Sequence, residues 1–242
     1  MSIESNAIRT RALVRTALLC GALSACGLSA AHADALATGA KNYKPFAVEH
    51  IGEAVAGAKA LQAALKAGDA KKAQAAWIKS RKGWEAIEPI TGEFFPDLDK
   101  VIDAWPDAKQ GYHAVEAPLF AGKLNDVGER ADRLAANLAA FQQKLATTEL
   151  APQGLFNGMT GLAYEVGENK SKGGESPFAG TSLIDMHENV EGIEAVYKLV
   201  FEEALKATDA KLAHAIDEKI DAVEDLVNVK ELKQLDQPAL QK

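Results

Sequence analysis

Apolar residues recur at helical spacing along almost the whole of this chain, and this periodicity constrains the fold more than any other feature of the sequence. From Pro45 to Gly68, and again from Asp69 to Pro89, apolar side chains return every three or four residues and the run ends at a glycine or a proline. No segment shows convincing alternation of polar and apolar residues enriched in β-branched side chains. The sequence therefore predicts an all-α protein.

The periodic segments predict an antiparallel bundle of seven or eight helices. Asp69 is expected to cap the second helix, and Pro152 is expected in the first turn of a later one. The Gly-rich segment 170–180 is the clearest loop. The helices are predicted at residues 45–68, 69–88, 96–105, 112–122, 126–147, 152–169, 182–207 and 209–232.

The first 33 residues are predicted to be an export signal outside the folded domain. Three arginines precede an apolar run that is rich in Ala and Gly and too short for a stable membrane span. Two processing sites compete: Ala31–Ala33 fits an A-x-A peptidase site, and Leu23–Cys26 resembles a lipobox that would leave a lipid anchor on Cys26. The distance from the apolar run favours the first. Both routes place the domain predicted for residues 34–242 in the periplasm.

Charge and cysteine content narrow the ligand chemistry. The net charge is −7, and removal of residues 1–33, with three arginines and one glutamate, leaves −9. Nucleic-acid binders are normally basic, so nucleic acid is not expected as a partner. Both cysteines, Cys20 and Cys26, lie in the predicted signal, so no disulfide or thiolate ligand is expected in the domain. Any metal ion must be held by oxygen and imidazole donors.

Potential metal ligands are paired at helical spacing between Arg81 and Glu116. Residues three or four apart share one face of a helix, and bundle metal sites use such pairs of Glu and His from facing helices. Three successive predicted helices each carry one pair: Glu85 with Glu88, Asp99 with Asp103, and His113 with Glu116. Carboxylates suit hard cations, and one imidazole shifts the preference toward iron, zinc and copper. The pattern therefore predicts a metal site that suits iron, with zinc or another divalent cation as the alternative.

The same residues also have an interpretation without a metal. Glu85 would then pair with Arg81 on the helix surface. Asp99 and Asp103 would face solvent, and His113 would be a hydrogen-bonded structural histidine.

A second group of acids lies later in the chain. Glu165 is near the end of a predicted helix and Glu175 lies in the Gly-rich loop, and either residue would reach the first group if the helices pack antiparallel. His187 and Glu191 are four residues apart, but the position of His187 beside an N-terminal turn is typical of an exposed residue.

Basic residues form no single sharp run. Lys79, Arg81 and Lys82 lie on the second predicted helix, and Lys170 and Lys172 flank the Gly-rich loop. The simpler interpretation is that these basic residues face solvent. The more specific interpretation is that they line a groove for an anionic ligand.

Four separated segments occur in the order RKGWEAIEPITGEFFPDLDKVID, GYHAVEAPLF, GLAYEVGENKSKGGE and TSLIDMHENVEG. Together they resemble the imelysin/EfeO family, whose hallmark is a GxHxxE motif, matched here by Gly111, His113 and Glu116. By element order the resemblance spans roughly residues 45–230.

This resemblance implies an imelysin-like double bundle of two four-helix halves. It also implies an exported, non-catalytic iron-binding protein of an EfeO-type or EfeM-type uptake system, which feeds an inner-membrane iron permease. The ligands that the family and the later acids suggest are His113, Glu116, Glu85, Glu88, Asp99, Asp103, Glu165 and Glu175.

Two further functions come with the resemblance. The segment between Asp34 and Pro45 cannot hold the cupredoxin domain of full-length EfeO, so the chain resembles the short EfeM-like form, one relative of which binds alginate. Binding of an anionic polysaccharide through Lys79, Lys82 and Lys172, with or without a bridging metal, is therefore the alternative function.

Imelysin itself was classed as a metallopeptidase, which raises the question of catalysis. An HExxH zinc peptidase needs a second histidine four residues after the first. This chain has Ala117 at that position, so peptidase activity is not expected.

Overall fold

A computed structural model of the protein describes residues 30–104, 109–173 and 175–241. Residues 1–29 of the predicted signal, which include both cysteines, lie outside the described residues. Trp105, at the predicted end of the third helix, also lies outside them. Within the described ranges the chain is helical and contains no strand. The prediction of an all-α bundle is therefore confirmed.

Most helices of the described residues are joined by short turns. The α-helices are α1 (Ala30–Lys66), α2 (Ala70–Glu85), α3 (Glu88–Phe94), α4 (Pro96–Ile102), α5 (Gly111–Phe120), α6 (Gly128–Thr147), α7 (Pro152–Glu168), α8 (Ser182–Val196), α9 (Glu202–Thr208), α10 (Ala210–Val227) and α11 (Gln237–Leu240). Three 3-10 turns, at Leu124–Asp126, Lys170–Lys172 and Leu232–Gln234, and a π-helical segment at Tyr197–Phe201 complete the helical elements.

The first helix begins earlier than predicted. Pro45, the predicted start, lies inside α1, where it costs the helix one backbone hydrogen bond. The apolar face of α1 is buried on both sides of the proline, by Tyr43 before it and by Ala47 and Ile51 after it. Packing of this face against the core therefore outweighs the local effect of the proline.

The predicted second helix is divided into two. The Asp69 side chain caps α2 by accepting a 3.0 Å hydrogen bond from the Lys72 backbone, as predicted. The helix ends at Glu85, and Pro89 lies in the first turn of α3, a position that proline favours. The prediction that Glu85 and Glu88 share one face of one helix is therefore wrong, because the chain turns between them.

Two apolar clusters give the bundle its core. The larger is built mainly from α1, α2 and α6, with the short helices α3, α4 and α5, and includes the fully buried Trp77, Trp84, Phe95 and Phe141. The smaller is built from α7, α8 and α10 around Met186. The bundle therefore has two packed regions of unequal size.

The turn between α2 and α3 lies where these two regions meet. The α2 helix packs against both α1 and α8, and α3 packs against α7. A Cβ atom on Gly192 of α8 would lie only 2.3 Å from the Ala86 carbonyl oxygen, so only glycine permits this close approach. The close contact places Glu85 and Glu88 beside side chains of α7 and α8.

Among the described residues, no helix combines the length and the apolar character that a membrane crossing requires.

Candidate metal centre

The charged cluster is built around Arg81 in the middle of α2. Its guanidinium is buried, and its Cζ atom lies 5.9 Å from the ring centre of Trp77 and 5.4 Å from that of Tyr112. The guanidinium contacts four carboxylates from separate parts of the chain: Glu85 at 2.8 Å, Asp103 at 2.6 Å, Glu175 at 2.6 Å and Asp185 at 3.4 Å. Burial opposes the charge, but these carboxylates raise the pKa of Arg81 well above its usual value.

A second buried cation, Lys170, lies in the 3-10 turn after α7. Its Nζ atom is 2.6 Å from Glu88, 3.1 Å from Glu85 and 3.4 Å from Glu175. Burial lowers the pKa of the Lys170 ammonium, but the three carboxylates outweigh it and leave the pKa well above its usual value. Lys170 and Arg81 therefore hold acids of both packed regions in one network.

Asn189 of α8 completes the lower side of this network. Its Nδ2 group donates to Glu85 Oε2 at 2.9 Å and to Glu88 Oε2 at 2.7 Å. Since Glu85 is fully buried, these contacts supply donors that water would otherwise provide.

Asp103, at the C-terminal end of α4, connects the cluster to the GxHxxE motif. Its Oδ1 atom accepts from Arg81 and lies 3.2 Å from His113 Nε2, and its Oδ2 atom accepts from Trp84 Nε1 at 3.0 Å. Burial raises the pKa of Asp103, but the attraction of Arg81 and the hydrogen bond from His113 prevail and hold the pKa well below its usual range. Asp103 is therefore an anion fixed in position.

Gly111 brings the motif helix close to Asp103. Its φ angle is +80°, in the left-handed region that glycine adopts without strain. A Cβ atom at this position would lie 2.3 Å from the Ile102 carbonyl oxygen, so a larger residue would separate the start of α5 from the end of α4. The glycine of the motif therefore allows His113 to reach Asp103.

A cavity of about 290 Å³ opens above these residues. The exposed Glu165 and Asn169 form its outer rim. Among the described residues, its lining consists of Glu88, Asp99, Asp103, His113, Glu165, Asn169, Lys170 and Glu175. Donor atoms of Asp103, His113 and Glu175 lie within 4.8 Å of one another, a separation that one metal ion can bridge.

Several acids of the cluster resist ionisation in the metal-free protein. Burial raises the pKa of Glu88 to about 7 and that of Asp185 to about 7, against the attraction of Lys170 and Arg81 respectively. Burial also raises the pKa values of Asp99 and Glu165. At these four acids the effect of burial on the pKa therefore exceeds the attraction of the two buried cations.

Residues 39–241 match the family model described as imelysin, named Peptidase M75. The chain belongs to the imelysin family. The sequence resemblance to this family is confirmed, and the match extends over both packed regions of the bundle.

Two curated relatives of this imelysin-family chain carry the same name. The iron uptake system component EfeO of Escherichia coli O157:H7 is 33% identical over 190 residues, which are 74% of this chain and 49% of the relative. The protein of that name from Escherichia coli K12 is 32% identical over the same length. The chain therefore spans about half the length of the curated relatives it matches.

A solved structure shares the fold of this imelysin-family chain. The crystal structure of a putative iron-regulated protein A precursor from Parabacteroides distasonis superposes with a TM-score of 0.61, at 15% identity, over 89% of this chain and 93% of that one. At this identity the similarity concerns the fold alone.

The imelysin fold brings six of the eight predicted donors to one cavity. The six are Glu88, Asp99, Asp103, His113, Glu165 and Glu175. Glu85 lies beneath the cavity, where its carboxylate contacts Arg81, Lys170 and Asn189. Glu116 lies behind His113, on the far side from the cavity lining. The pairing of Asp99 with Asp103 on one helix is also corrected, because α4 ends at Ile102 and Asp103 is its C-cap.

Two of the basic residues do not face solvent, contrary to the simpler interpretation of the sequence. Arg81 and Lys170 are buried in the cluster, so that interpretation is wrong for both. The sequence indicates the burial of Arg81, because Trp77 lies four residues before it and Trp84 three residues after it, on the same helix face. The sequence gives no such indication for Lys170, because its two nearest partners, Glu88 and Glu85, are 82 and 85 residues away.

The second group of potential ligands, around His187, contributes no residue to the lining of this cavity. His187, Glu188 and Glu191 form a separate group, in which Glu188 is paired with Lys82 at 2.6 Å.

The lysines proposed for a polysaccharide are partly paired with acids of the protein. Lys82 contacts Glu188, and Lys172, largely exposed, lies 4.0 Å from Glu168. Lys79 is exposed on α2. None of these three lysines lines the cavity around Asp103 and His113, and polysaccharide binding stays a prediction.

Proposed function

We propose that this protein binds a metal ion, iron in the first place, in the acid-lined cavity and takes part in iron uptake without catalysing a reaction. The convergence of Asp103, His113 and Glu175 carries the proposal, because their donor atoms come from three separate segments and lie within 4.8 Å of one another. Such convergence of distant donors is how helical bundles build metal sites.

The charge of the cluster supports a cation as the ligand. The cavity and the layer beneath it contain seven carboxyl groups and two fixed cations, Arg81 and Lys170. Full ionisation would leave an excess of five negative charges, or four with His113 protonated. A divalent or trivalent metal ion supplies the missing positive charge, whereas an anionic ligand would add to the excess.

The donor types support iron over softer metals. The candidate set is carboxylate oxygen with one imidazole nitrogen, and no described residue offers a thiolate. Hard oxygen donors with one nitrogen suit Fe²⁺ and Fe³⁺, and zinc accepts the same atoms. The names of the curated relatives, components of an iron uptake system, point the same way.

The place of the protein in the cell follows from the same proposal. Export through the predicted signal would put the domain in the periplasm, where it would bind iron and hand it to an inner-membrane permease. The cavity opens at the exposed Glu165 and Asn169, which gives an ion a route in and out without unfolding of the bundle.

A binding role fits the site better than peptidase chemistry. Catalytic zinc in peptidases is held by two histidines and an acid, with a glutamate as general base and an open position for water. Among the described residues, the cavity has one histidine, and Arg81 and Lys170 hold the surrounding acids in ion pairs. Hydrolysis of a peptide that depended on bound metal would contradict the non-catalytic proposal.

Calorimetric titration with Fe²⁺ under anaerobic conditions, and with Zn²⁺, tests the proposal. Glu175→Gln and Asp99→Asn should each weaken binding by at least about tenfold, because each removes a charged oxygen donor from the cavity. Asp97→Asn is the matched control, since Asp97 is exposed on the same helix as Asp99 and should leave the affinity unchanged. Equal affinities in all four proteins would refute binding in this cavity.

A further inference from the structure

Glu116, the glutamate of the GxHxxE motif, has its carboxylate engaged away from the cavity. The side chain is fully buried. Its Oε1 atom accepts hydrogen bonds from the backbone N–H groups of Phe178 and Ala179, both at 2.9 Å. Its Oε2 atom faces His113 Nδ1 at 3.5 Å. Both oxygens are therefore directed at protein groups that surround the candidate ligands.

The segment that Glu116 holds is the one that carries Glu175. Phe178 follows Glu175 by three residues, and the segment enters α8 after Gly180 and Thr181. At its other end Ser176 is fixed by its hydroxyl, which contacts Asp185, and by its backbone N–H, which donates to Ser182 Oγ at 3.1 Å. Two anchors, Ser176 and the Glu116 carboxylate, therefore restrain the backbone that presents Glu175 to the cavity.

The second oxygen of Glu116 lies beside the imidazole ring of His113. With Nδ1 directed at the carboxylate, the ring places Nε2 toward Asp103 and the cavity, 3.2 Å from Asp103 Oδ1. A histidine that donates Nδ1–H to a carboxylate has its lone pair on Nε2 when it binds a metal. The i,i+3 spacing of α5 therefore allows one carboxylate to orient the imidazole from behind.

We propose that Glu116 is a positioning residue that orients His113 and fixes the Glu175 segment, and that it does not itself coordinate the metal. This inference rests on the proposed metal-binding function. It assigns the two polar residues of the motif different roles, His113 as ligand and Glu116 as the support that orients ligands from two separate segments.

Two substitutions separate the two contacts of Glu116. In Glu116→Gln the amide oxygen still accepts from Phe178 and Ala179, but the amide NH₂ faces His113 Nδ1, which must then act as acceptor and carry its proton on Nε2. This change should weaken Zn²⁺ binding by about 10–100-fold while the segment stays in place. Glu116→Ala loses both contacts and should weaken binding at least as much.

Hydrogen exchange of the metal-free protein tests the restraint of the segment. Glu116→Ala should accelerate exchange at the Phe178 and Ala179 amides, whereas Glu116→Gln should leave both amides protected. Asp99→Asn is the control, because Asp99 lines the cavity and should change metal affinity without changing exchange at these amides. Unchanged exchange in Glu116→Ala would overturn the positioning role, and circular dichroism verifies that the variant is folded.

A crystal of the wild-type protein soaked in Zn²⁺ tests the coordination directly. The proposal expects zinc bound by oxygens or nitrogens of the cavity, with neither Glu116 oxygen among them. A Glu116 oxygen at about 2.0–2.2 Å from zinc would overturn it. If the wild-type protein binds neither Zn²⁺ nor Fe²⁺, the proposed function fails, and the exchange measurement still decides separately whether Glu116 fixes the segment.

Discussion

Replacement of Lys170 by methionine separates what the buried ammonium does for the fold from what it does to a bound metal. Lys170 Nζ contacts Glu85, Glu88 and Glu175, and it also lines the cavity. Methionine keeps most of the unbranched apolar side chain and removes the ammonium, with its charge and its hydrogen bonds to Glu85 and Glu88. Loss of one partner of a buried ion pair costs about 3–5 kcal/mol, because the remaining carboxylates are left uncompensated. The metal-free variant should therefore be less stable than the wild type.

The same substitution should strengthen metal binding. A sphere with the cavity's volume of about 290 Å³ has a diameter of about 8 Å, which we take as the distance between the Lys170 ammonium and a metal ion in the cavity. Two unit charges at this distance repel by about 2 kcal/mol at an effective dielectric constant of about 20. A divalent ion doubles this repulsion, so removal of the ammonium should tighten Zn²⁺ binding by at least about tenfold. Lys170 is therefore expected to stabilise the metal-free protein and to lower its affinity for a metal ion.

Thermal unfolding in a chelator and in Zn²⁺ measures both effects in one assay. A loss of about 3–5 kcal/mol should lower the Tm of Lys170→Met by roughly 6–20 °C in the chelator. Zn²⁺ should then raise the Tm of the variant by more than it raises that of the wild type. Lys172→Met, which alters an exposed lysine two residues away, is the matched control. Wild-type stability of Lys170→Met would contradict the stabilising role of the ammonium, and a smaller rise in Tm with Zn²⁺ than in the wild type would contradict its repulsion of the metal ion.

Two further predictions concern pH and the motif glycine. Glu88 and Asp185 have pKa values raised to about 7, so their contribution to stability is present at low pH and is lost as pH rises through about 7. The metal-free protein should therefore unfold at a lower temperature at pH 8 than at pH 5.5. Bound Zn²⁺ should reverse this order, because metal ions bind deprotonated carboxylates. An opposite trend in the chelator would contradict this assignment of charges. Gly111→Ala should lower the free energy of unfolding by more than about 1 kcal/mol and weaken metal binding, since its φ is +80° and its Cβ would meet Ile102. Gly161→Ala, in the open interior of α7, should instead stabilise the protein by up to about 1 kcal/mol in chemical denaturation, and equal effects of the two substitutions would argue against the close approach at Gly111.

The sequence predicts the helices and most of the cavity lining because both depend on short-range patterns. Apolar spacing determines which face of a helix is buried, and the i,i+3 spacing of His113 and Glu116 determines that both side chains point to the same side of α5. The spacing alone does not show that His113 lines the cavity and Glu116 does not. Only the packed structure shows that Glu116 reaches the backbone of Phe178, 62 residues away.

The two buried cations mark the limit of that prediction. A lysine in a Gly-rich loop is usually solvated, and the burial of Lys170 is decided by Glu85 and Glu88, which approach it from another part of the bundle. Helical periodicity carries no information about such distant partners. The i,i+4 spacing correctly predicts the pairing of Arg81 with Glu85, but the pair is buried and does not lie on the helix surface as expected. The contacts of Arg81 with Asp103 and Asp185 have no such local pattern.

Anomalous scattering at the iron absorption edge, from a crystal of the wild-type protein loaded with Fe²⁺, shows whether iron binds in the acid-lined cavity. We expect one strong peak in the cavity, from an ion bound by donor atoms of Asp103, His113 and Glu175. Absence of iron from this cavity, or a peak confined to the separate group around His187, would contradict it.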